Sequence, residues 1–312
     1  MRRFAIAAAL ILFLVLTVQG FARQRGGARA SGVTAAPYQP PDTVEVVRDI
    51  VYATYGNRDL LLDLYLPSER GAEPIPGIVV IRGGGWRQGD KDGFAHIAGY
   101  LASSDFAAVC VEYRAVPEAT FPAAVNDTKA AVRWLRAHAA EYGINPATLG
   151  AIGGSAGAHL AAMLAVTHRL DELDGEGGNP NVSNRVQAVV AMATPADLVT
   201  ERVDPSSRNA AALVAFLGAT YQENPDLWVL ASPVSHVHPG AAPILLMHSV
   251  ADQVVSPRQS VLLKERYEKA GLPTELVTIE AAPHAFWGRQ RPWHDEVLDR
   301  AVAFFRTHLV PR

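Results

Sequence analysis

Short apolar runs rich in β-branched residues alternate with amphipathic stretches from residue 44 to the C-terminus. Apolar runs of this length, bounded by turn residues, are typical of strands that are buried in a sheet. The predicted strands are VEVVRDIVYA (44–53), LLLDLYLP (60–67), IPGIVVI (75–81), AAVCVEY (107–113), a strand ending near Ile152, VQAVVAMAT (186–194), PILLMHSV (243–250) and TELVTIE (274–280).

Helices are predicted between these strands. Apolar positions recur at helical spacing around 92–104, over 122–143, from about Ala156, from Ser256 to Gly271 and over 293–309. Strands that alternate with helices predict an α/β fold with a mostly parallel central sheet and helices on both faces. The first two strands are joined by Gly56-Asn57, a hairpin signal, so we expect them to add an antiparallel hairpin at one edge.

The N-terminus predicts export. Arg2 and Arg3 precede an apolar stretch of 15 residues, and small residues follow at Gly20 and Ala22. This pattern is typical of a signal peptide over residues 1–22, and an uncleaved membrane anchor is the alternative. Either reading puts the folded part outside the cytoplasm, in a secreted or periplasmic location or on a membrane facing outward. Residues 23–42 are rich in Gly, Ala, Arg and Pro and are predicted to be a linker, which leaves 43–312 as one folded domain.

The composition and charge of the chain exclude several kinds of partner and site. The 312 residues are 49% hydrophobic and 19% charged, which indicates a globular protein with a sizeable core. The formal net charge of −3 gives no reason to expect a nucleic acid partner. Cys110 is the single cysteine, so an internal disulfide and a cysteine-rich metal site are both excluded.

A serine stands at the boundary between a predicted strand and a predicted helix. Gly153-Gly154-Ser155-Ala156-Gly157 fits the pattern G-x-S-x-G. Glycines allow the backbone to turn sharply there, so the hydroxyl of Ser155 is expected at the edge of the sheet beside a helix N-terminus. The alternative is a glycine-rich turn with an incidental capping serine.

A serine nucleophile needs a base, and the base needs an acid that orients it. Asp252 follows the strand PILLMHSV, and His284 follows the strand TELVTIE, so both are expected where parallel strands end. The order Ser155, Asp252, His284 is the order that this architecture uses. His294 is the alternative base and Asp226 the alternative acid.

Two further sets of groups are expected around the serine, three backbone N–H groups and three aromatic side chains. The glycines of IRGGGW (81–86) allow close backbone approach, so the N–H groups of Gly84 and Gly85, with that of Ala156, are expected to bind the oxyanion of an ester transition state. Three aromatic residues could form a wall for an acyl or phenolic group or could simply belong to the core: Trp86, Phe286 and Trp287.

These residues resemble those of the α/β-hydrolases from about residue 45 to the C-terminus. YRAVPEATFPAAVND is similar to a segment found across the carboxylesterase branch that includes the hormone-sensitive-lipase-like enzymes. Within that branch, three segments are similar to bifunctional deacetylase/feruloyl-esterase domains: IRGGGWRQGDKDGF, GNPNVSNRVQAVV and ASPVSHVHPGAAPILLMHSVADQVVS. The resemblance implies a Ser155–His284–Asp252 triad, an oxyanion hole at Gly84, Gly85 and Ala156, and neither a metal nor an organic cofactor.

Three positions depart from the family pattern. Arg82 stands where a loop-orienting histidine is usual, Ser249 stands where glycine is common, and Ala158 replaces a frequent second glycine. A cation at Arg82 is expected to alter loop packing or to favour an acidic substrate group.

Together with the predicted signal peptide, the resemblance implies a secreted serine hydrolase that cleaves carboxylic esters, with acetyl or feruloyl esters of polysaccharides or other small acyl esters as the expected substrates. SAGAHLAAML also resembles arylformamidases, and a non-catalytic binding protein on the same scaffold is the third alternative. A membrane is expected as a partner only if residues 1–22 are retained.

Overall fold

A central sheet of eight strands organises the described part of the molecule. The computed structural model describes residues 37–87, 89–202 and 210–310. The expected signal peptide (1–22) lies outside the described residues, as does most of the expected linker, and both stay predictions.

The strands are β1 (Val44–Tyr55), β2 (Arg58–Pro67), β3 (Ile75–Ile81), β4 (Ala107–Val111), β5 (Ile144–Gly154), β6 (Ala188–Met192), β7 (Ile244–Ser249) and β8 (Thr274–Ile279). Their order in the sheet is β1-β2-β4-β3-β5-β6-β7-β8. The β1–β2 and β2–β4 pairs are antiparallel and the remaining pairs are parallel. The predicted fold, a mostly parallel sheet with an antiparallel hairpin at one edge, is therefore confirmed.

The helices are α1 (Ala95–Ala102), α2 (Ala123–Ala137), α3 (Ala156–Val166), α4 (Leu198–Glu201), α5 (Ala210–Leu217), α6 (Pro225–Leu230), α7 (Arg258–Lys269) and α8 (His294–Leu309). Short 3₁₀ turns cover Lys91–Phe94, Asp171–Leu173 and Pro233–His236. Among the described residues, no helix is both long enough and apolar enough to cross a bilayer.

The sheet separates two hydrophobic cores. Alternate residues of a strand point to opposite faces, so Val79 belongs to the core that includes residues of α2, α3 and α7, whereas Ile78 belongs to the core that includes residues of α1 and α8. Helix α3 is buried along its whole length, which explains why its sequence is apolar on every side. The helix that follows Ser155 is therefore held rigidly against β5 and β6.

One predicted helix is shorter than expected. The helical pattern over 122–143 yields α2 only to Ala137, and the chain then turns through Gly143, which has φ 67°. Strand β5 begins at the next residue, Ile144. Ala139 and Tyr142, which follow the helix, still pack against the same core as α2.

Candidate active site

Ser155 occupies a sharp turn between β5 and α3. Its backbone has φ 56° and ψ −122°, a conformation that a non-glycine residue adopts only where its surroundings enforce it. Its N–H donates to the carbonyl of Met192 on the neighbouring strand, at 2.8 Å. A Cβ at Gly153 would collide with the carbonyl of Gly157, and one at Gly157 would collide with the carbonyl of Ile81. Gly153 thus lets the turn close on the start of α3, and Gly157 lets it fit against the end of β3.

The three side chains expected to form a triad lie together. His284 Nε2 is 2.8 Å from Ser155 Oγ, and His284 Nδ1 is 2.6 Å from Asp252 Oδ2. An ionised carboxylate only accepts hydrogen bonds, so Nδ1 carries the proton and Nε2 is left to accept from the serine hydroxyl. This is the arrangement in which an imidazole can remove the proton of a serine.

Asp252 is an ionised carboxylate in a buried place. Burial alone raises the pKa of Asp252, but hydrogen bonds from His248 and His284 outweigh that effect and hold the pKa of this carboxyl below its usual range. Its second oxygen, Oδ1, accepts from the N–H groups of Val254 at 2.8 Å and Val255 at 3.1 Å. The negative charge that orients His284 is thus maintained at neutral pH.

A second histidine supports the acid from the other side. His248 Nε2 lies 3.3 Å from Asp252 Oδ2 and 3.2 Å from the carbonyl of Val255. Its Nδ1 is 2.7 Å from the hydroxyl of Ser260, from which it accepts. His248 thus orients the acid loop, with both ring nitrogens engaged by Ser260, Val255 and Asp252.

Ser249, the residue that departs from the usual glycine, joins the acid loop to the base loop. Its hydroxyl donates to the carbonyl of Ala282 at 2.6 Å and accepts from the N–H of Ala251 at 3.1 Å. Ala282 precedes His284 by two residues, so the serine hydroxyl connects the two loops that supply Asp252 and His284.

The loop after β3 lies beside the serine. A Cβ at Gly83 would approach the carbonyl of Gly154 to 2.8 Å, so the two loops are in close contact. Gly84, Gly85 and Trp86 all have positive φ (113°, 61° and 57°), and the N–H of Arg87 closes the turn on the carbonyl of Gly84 at 3.1 Å.

The N–H groups expected to bind an oxyanion are available. Across residues 37–87, 89–202 and 210–310, no acceptor is bonded to the N–H of Gly84, Gly85 or Ala156. Ala156 is the first residue of α3, so the helix dipole adds a partial positive charge there. Unpaired donors of this kind can stabilise a developing negative charge.

The structure does not place Trp86 on the cavity wall. Its indole is 1% exposed, stacks on Phe216 with ring centroids 4.6 Å apart, and donates from Nε1 to His159 Nδ1 at 3.2 Å. His159 in turn donates from Nε2 to the carbonyl of Ala231 at 2.8 Å. Trp86 therefore anchors the glycine loop in the core, which is the packing alternative for this residue.

Phe286 is also fully buried, and its ring packs against Trp287. Of the three aromatic residues expected to form a wall, only Trp287 lines the cavity. The second aromatic side chain there is Phe94, whose ring lies edge-on to Trp287 with centroids 6.3 Å apart. Phe94 belongs to the segment GDKDGF, in which no residue pattern indicates that the ring turns toward Ser155.

The alternative residues lie elsewhere. His294 Nδ1 is 2.9 Å from the carbonyl of Trp287, and His96 Nε2 is 3.3 Å from the same oxygen, so His294 fixes the loop after His284 and does not contact the serine. Asp226 lies in the first turn of α6 and lines a different depression.

The cavity at Ser155 has a volume of about 1050 Å³ and is open to solvent. Besides Ser155 and His284 it is lined by the glycine loop, by Arg82, Arg87 and Asp90, and by apolar residues that include Val116 and Pro117. In the described ranges, no cluster of three or more metal-binding side chains is present.

The chain is similar to known proteins. A family model described as BD-FAE matches residues 62–267. Esterase LipQ of Mycobacterium tuberculosis is 30% identical over 84% of this chain and 63% of its own length, and the probable carboxylic ester hydrolase LipM of the same organism is 30% identical over 82% and 61%. The chain thus spans about three fifths of the length of these curated relatives.

Solved structures match over a larger share of their own length. A truncated carbohydrate esterase from gut microbiota superimposes with a TM-score of 0.75 at 28% identity, covering 86% of this chain and 99% of the other. Esterase 2 of Thermogutta terrifontis, phosphonylated by sarin, superimposes with a TM-score of 0.75 at 29% identity, covering 89% and 99%. The fold is that of these α/β-hydrolase esterases.

Proposed function

Because the chain belongs to the BD-FAE family of α/β-hydrolase esterases, we propose that it is a serine esterase that cleaves carboxylic esters through Ser155, His284 and Asp252. The observation that carries this proposal is the hydrogen-bonded series from Ser155 Oγ through His284 to Asp252, at 2.8 and 2.6 Å, beside the N–H groups of Gly84, Gly85 and Ala156, which have no acceptor among the described residues.

The chemistry proceeds in two halves. Ser155 Oγ attacks the acyl carbon while His284 Nε2 takes the hydroxyl proton, and the imidazolium is stabilised by Asp252. The N–H groups of Gly84, Gly85 and Ala156 bind the oxyanion. His284 then gives the proton to the departing alcohol, and a water molecule, deprotonated by the same nitrogen, releases the acid from Ser155.

The cavity supports a substantial ester as substrate. Its volume of about 1050 Å³ lies at the upper end of the range for small-molecule sites. Phe94 and Trp287 supply flat apolar surfaces, while Arg87 and Asp90 supply polar groups at the rim. We propose acetyl or feruloyl esters of carbohydrates as substrates, and the similarity to a carbohydrate esterase supports this choice.

The first test is turnover of p-nitrophenyl acetate by the purified protein. Ser155→Ala is expected to lower kcat by at least about 10³-fold. Ser103→Ala, an exposed serine at the end of α1, is the matched control and is expected to keep full activity. Full activity of Ser155→Ala would refute the assigned nucleophile, and a folded wild-type protein without turnover would favour a ligand-binding role.

The second test is a substrate panel with acetylated xylan, methyl ferulate and N-formylkynurenine. The proposal predicts the highest kcat/KM for the acetyl or feruloyl compound, and a preference for the formyl compound would favour an arylformamidase. Export is tested separately by the N-terminal sequence of the protein recovered from outside the cytoplasm. A start after Gly20 or Ala22 would confirm cleavage of the proposed signal peptide, and an intact Met1 in the membrane fraction would indicate an anchor.

A further inference from the structure

Arg82 is a buried cation directly after β3, beside the glycine loop. Arg82 is only 6% exposed. Its guanidinium carbon lies 4.2 Å from the ring centroid of Tyr113, which follows β4. Because β3 and β4 are parallel neighbours, the segments after them meet at the same edge of the sheet. Arg82 Nη1 donates to Tyr113 Oη at 3.2 Å, so the two side chains form one unit.

This unit binds the carbonyls of the glycine loop. Arg82 Nη1 donates to the carbonyl of Gly83 at 3.1 Å. The hydroxyl of Tyr113 lies 3.3 Å from the carbonyl of Arg82 and 3.5 Å from that of Gly83, and it can donate to either. Burial raises the pKa of Tyr113 to about 12 although Arg82 lowers it, so the hydroxyl keeps its proton at neutral pH. Two donors therefore converge on these carbonyls.

The carbonyl of Gly83 and the N–H of Gly84 belong to the same peptide group. A trans peptide is planar, and its C=O and N–H point in opposite directions. A donor that fixes the carbonyl therefore also fixes the direction of the N–H. The N–H in question is one of the three unpaired donors beside Ser155, and Gly84 lines the cavity.

We infer that Arg82 and Tyr113 are positioning residues for the oxyanion hole: they hold and polarise the Gly83–Gly84 peptide so that the N–H of Gly84 points to the developing oxyanion. This inference rests on the proposed esterase function. Neither side chain is required to touch the substrate.

Arg82 and Tyr113 are expected to affect catalysis in two ways, through the conformation of the glycine loop and through the strength of the N–H donor. Gly83, Gly84 and Gly85 lack side chains that could restrict their backbone, so the loop needs external contacts to keep one conformation. A charged donor on a carbonyl also strengthens the opposite N–H as a donor, because hydrogen bonds along a chain polarise one another. Loss of one oxyanion donor lowers kcat by about 10²- to 10³-fold, so misdirecting it is expected to lower kcat by about 10- to 100-fold.

The experiment compares Arg82→Met, Arg82→Lys and Tyr113→Phe with wild type, using p-nitrophenyl acetate. We expect kcat to fall by about 10- to 100-fold in Arg82→Met and by less in the other two, with KM changed by less than about threefold. Arg58→Met is the matched control, because Arg58 is an exposed guanidinium that pairs with Glu112 and Glu118 and makes no bond to the loop. Its kcat is expected to equal that of wild type.

Chemical rescue separates positioning from general stability. Arg82→Ala leaves a space that is continuous with the catalytic cavity, and guanidinium chloride at low millimolar concentration is expected to restore part of kcat. Sodium chloride at the same ionic strength is expected to leave kcat unchanged. Thermal unfolding of each variant verifies that it is folded, and Tyr113→Phe, which loses a single hydroxyl, keeps the test valid should Arg82→Met not fold.

The outcomes are distinct. A wild-type protein without turnover overturns the proposed function and this inference with it. An active wild type whose folded Arg82 and Tyr113 variants keep kcat within twofold overturns the inference alone. A rise in KM at constant kcat would make Arg82 a substrate-binding group and would overturn it equally.

Discussion

Replacing Trp86 with phenylalanine is expected to lower the free energy of unfolding by about 2 kcal/mol and to lower kcat at the same time. The indole N–H donates to His159 Nδ1 at 3.2 Å, inside a core where both rings are buried. His159 cannot turn to find another donor, because its Nε2 is bound to the carbonyl of Ala231 at 2.8 Å. Phenylalanine would leave Nδ1 without a partner, and an unsatisfied buried acceptor costs about 1–3 kcal/mol.

The effect on kcat follows from the backbone of Trp86. A bulky residue at φ 57° is strained by about 1–3 kcal/mol and keeps that conformation only when its side chain is held. Phenylalanine retains stacking on Phe216, but it has no hydrogen bond to resist relaxation of the turn. Gly84 and Gly85 are directly adjacent, so the oxyanion donors would shift. A tenfold loss of kcat corresponds to only about 1.4 kcal/mol of transition-state stabilisation, and we expect a loss of roughly this size.

A double-mutant cycle measures the contact itself. Trp86→Phe leaves His159 Nδ1 without a partner, and His159→Leu leaves both Trp86 Nε1 and the carbonyl of Ala231 without one. The double variant removes both members of the Trp86–His159 pair, and the loss at Ala231, common to the two His159 variants, cancels in the cycle. The double variant is therefore expected to be about 1–2 kcal/mol more stable than the sum of the single effects predicts. Urea unfolding followed by circular dichroism gives these values without depending on tryptophan fluorescence.

Trp228→Phe is the matched control for this cycle. Trp228 is equally buried, and its Nε1 donates to the carbonyl of Ala219 at 3.1 Å, away from the glycine loop. We expect a similar loss of stability and an unchanged kcat. If Trp86→Phe keeps the stability and kcat of wild type, and the cycle is additive within about 0.5 kcal/mol, the role given to Trp86 is wrong.

Three further changes have definite expected results. Gly157→Ala would place a Cβ against the carbonyl of Ile81, a backbone atom that cannot move aside, so we expect a loss of more than about 3 kcal/mol in urea unfolding, with little soluble protein. Burial lowers the pKa of His159 to about 4, so below pH ~6.5 this residue binds a proton in the unfolded chain but not in the folded chain. From pH 7 to pH 5 this difference lowers the free energy of unfolding by about 2 kcal/mol, and burial of His96 and His168, whose pKa values are also lowered to about 4, adds further pH dependence. The free energy of unfolding of His159→Leu should therefore fall by about 2 kcal/mol less than that of wild type over the same pH range. Ser249→Ala removes the bond to the carbonyl of Ala282 and is expected to lower kcat severalfold at unchanged KM, whereas a purely structural role would lower only the melting temperature.

The general architecture could be predicted because it depends on local patterns. Each apolar β-branched run that the sequence shows became a strand, and parallel strands bring their carboxyl ends to one edge of the sheet. Ser155, Asp252 and His284 each follow such a strand, so element boundaries alone were enough to bring them together. Their catalytic roles stay predictions, which the variants above test.

Local sequence patterns did not predict which of the three aromatic side chains would line the cavity. In a helix or strand the period tells which way a side chain points, but Trp86, Phe286 and Trp287 lie in loops. The direction of Trp86 depends on its positive φ and on His159, 73 positions away. Phe286 and Trp287 are neighbours, yet only Trp287 reaches the cavity. The sequence pattern indicates neither that Trp86 points into the core nor that Trp287, and not Phe286, lines the cavity.

The contacts of Arg82 could not be predicted from the sequence, for a different reason. Its sequence position indicates a departure from the family pattern, but its partner Tyr113 is 31 residues away and is identified only by the strand order, which places β4 next to β3. The same holds for His248, whose contact with Ser260 depends on how α7 packs on β7.

The glycine loop is consequently held at both ends. At its start, Arg82 and Tyr113 bind the carbonyl of Gly83, and at its end Trp86 is fixed by its indole and by the N–H of Val116, which donates to its carbonyl at 2.8 Å. Only two glycines lie between these contacts, so the loop keeps the close backbone approach that glycine permits, while the freedom that glycine adds is largely removed. Rigid donors are what oxyanion stabilisation requires, since a donor that must reorganise during the reaction contributes less to the transition state. Arg82, Tyr113 and Trp86 thus hold a glycine-rich loop in the single conformation that an oxyanion hole requires.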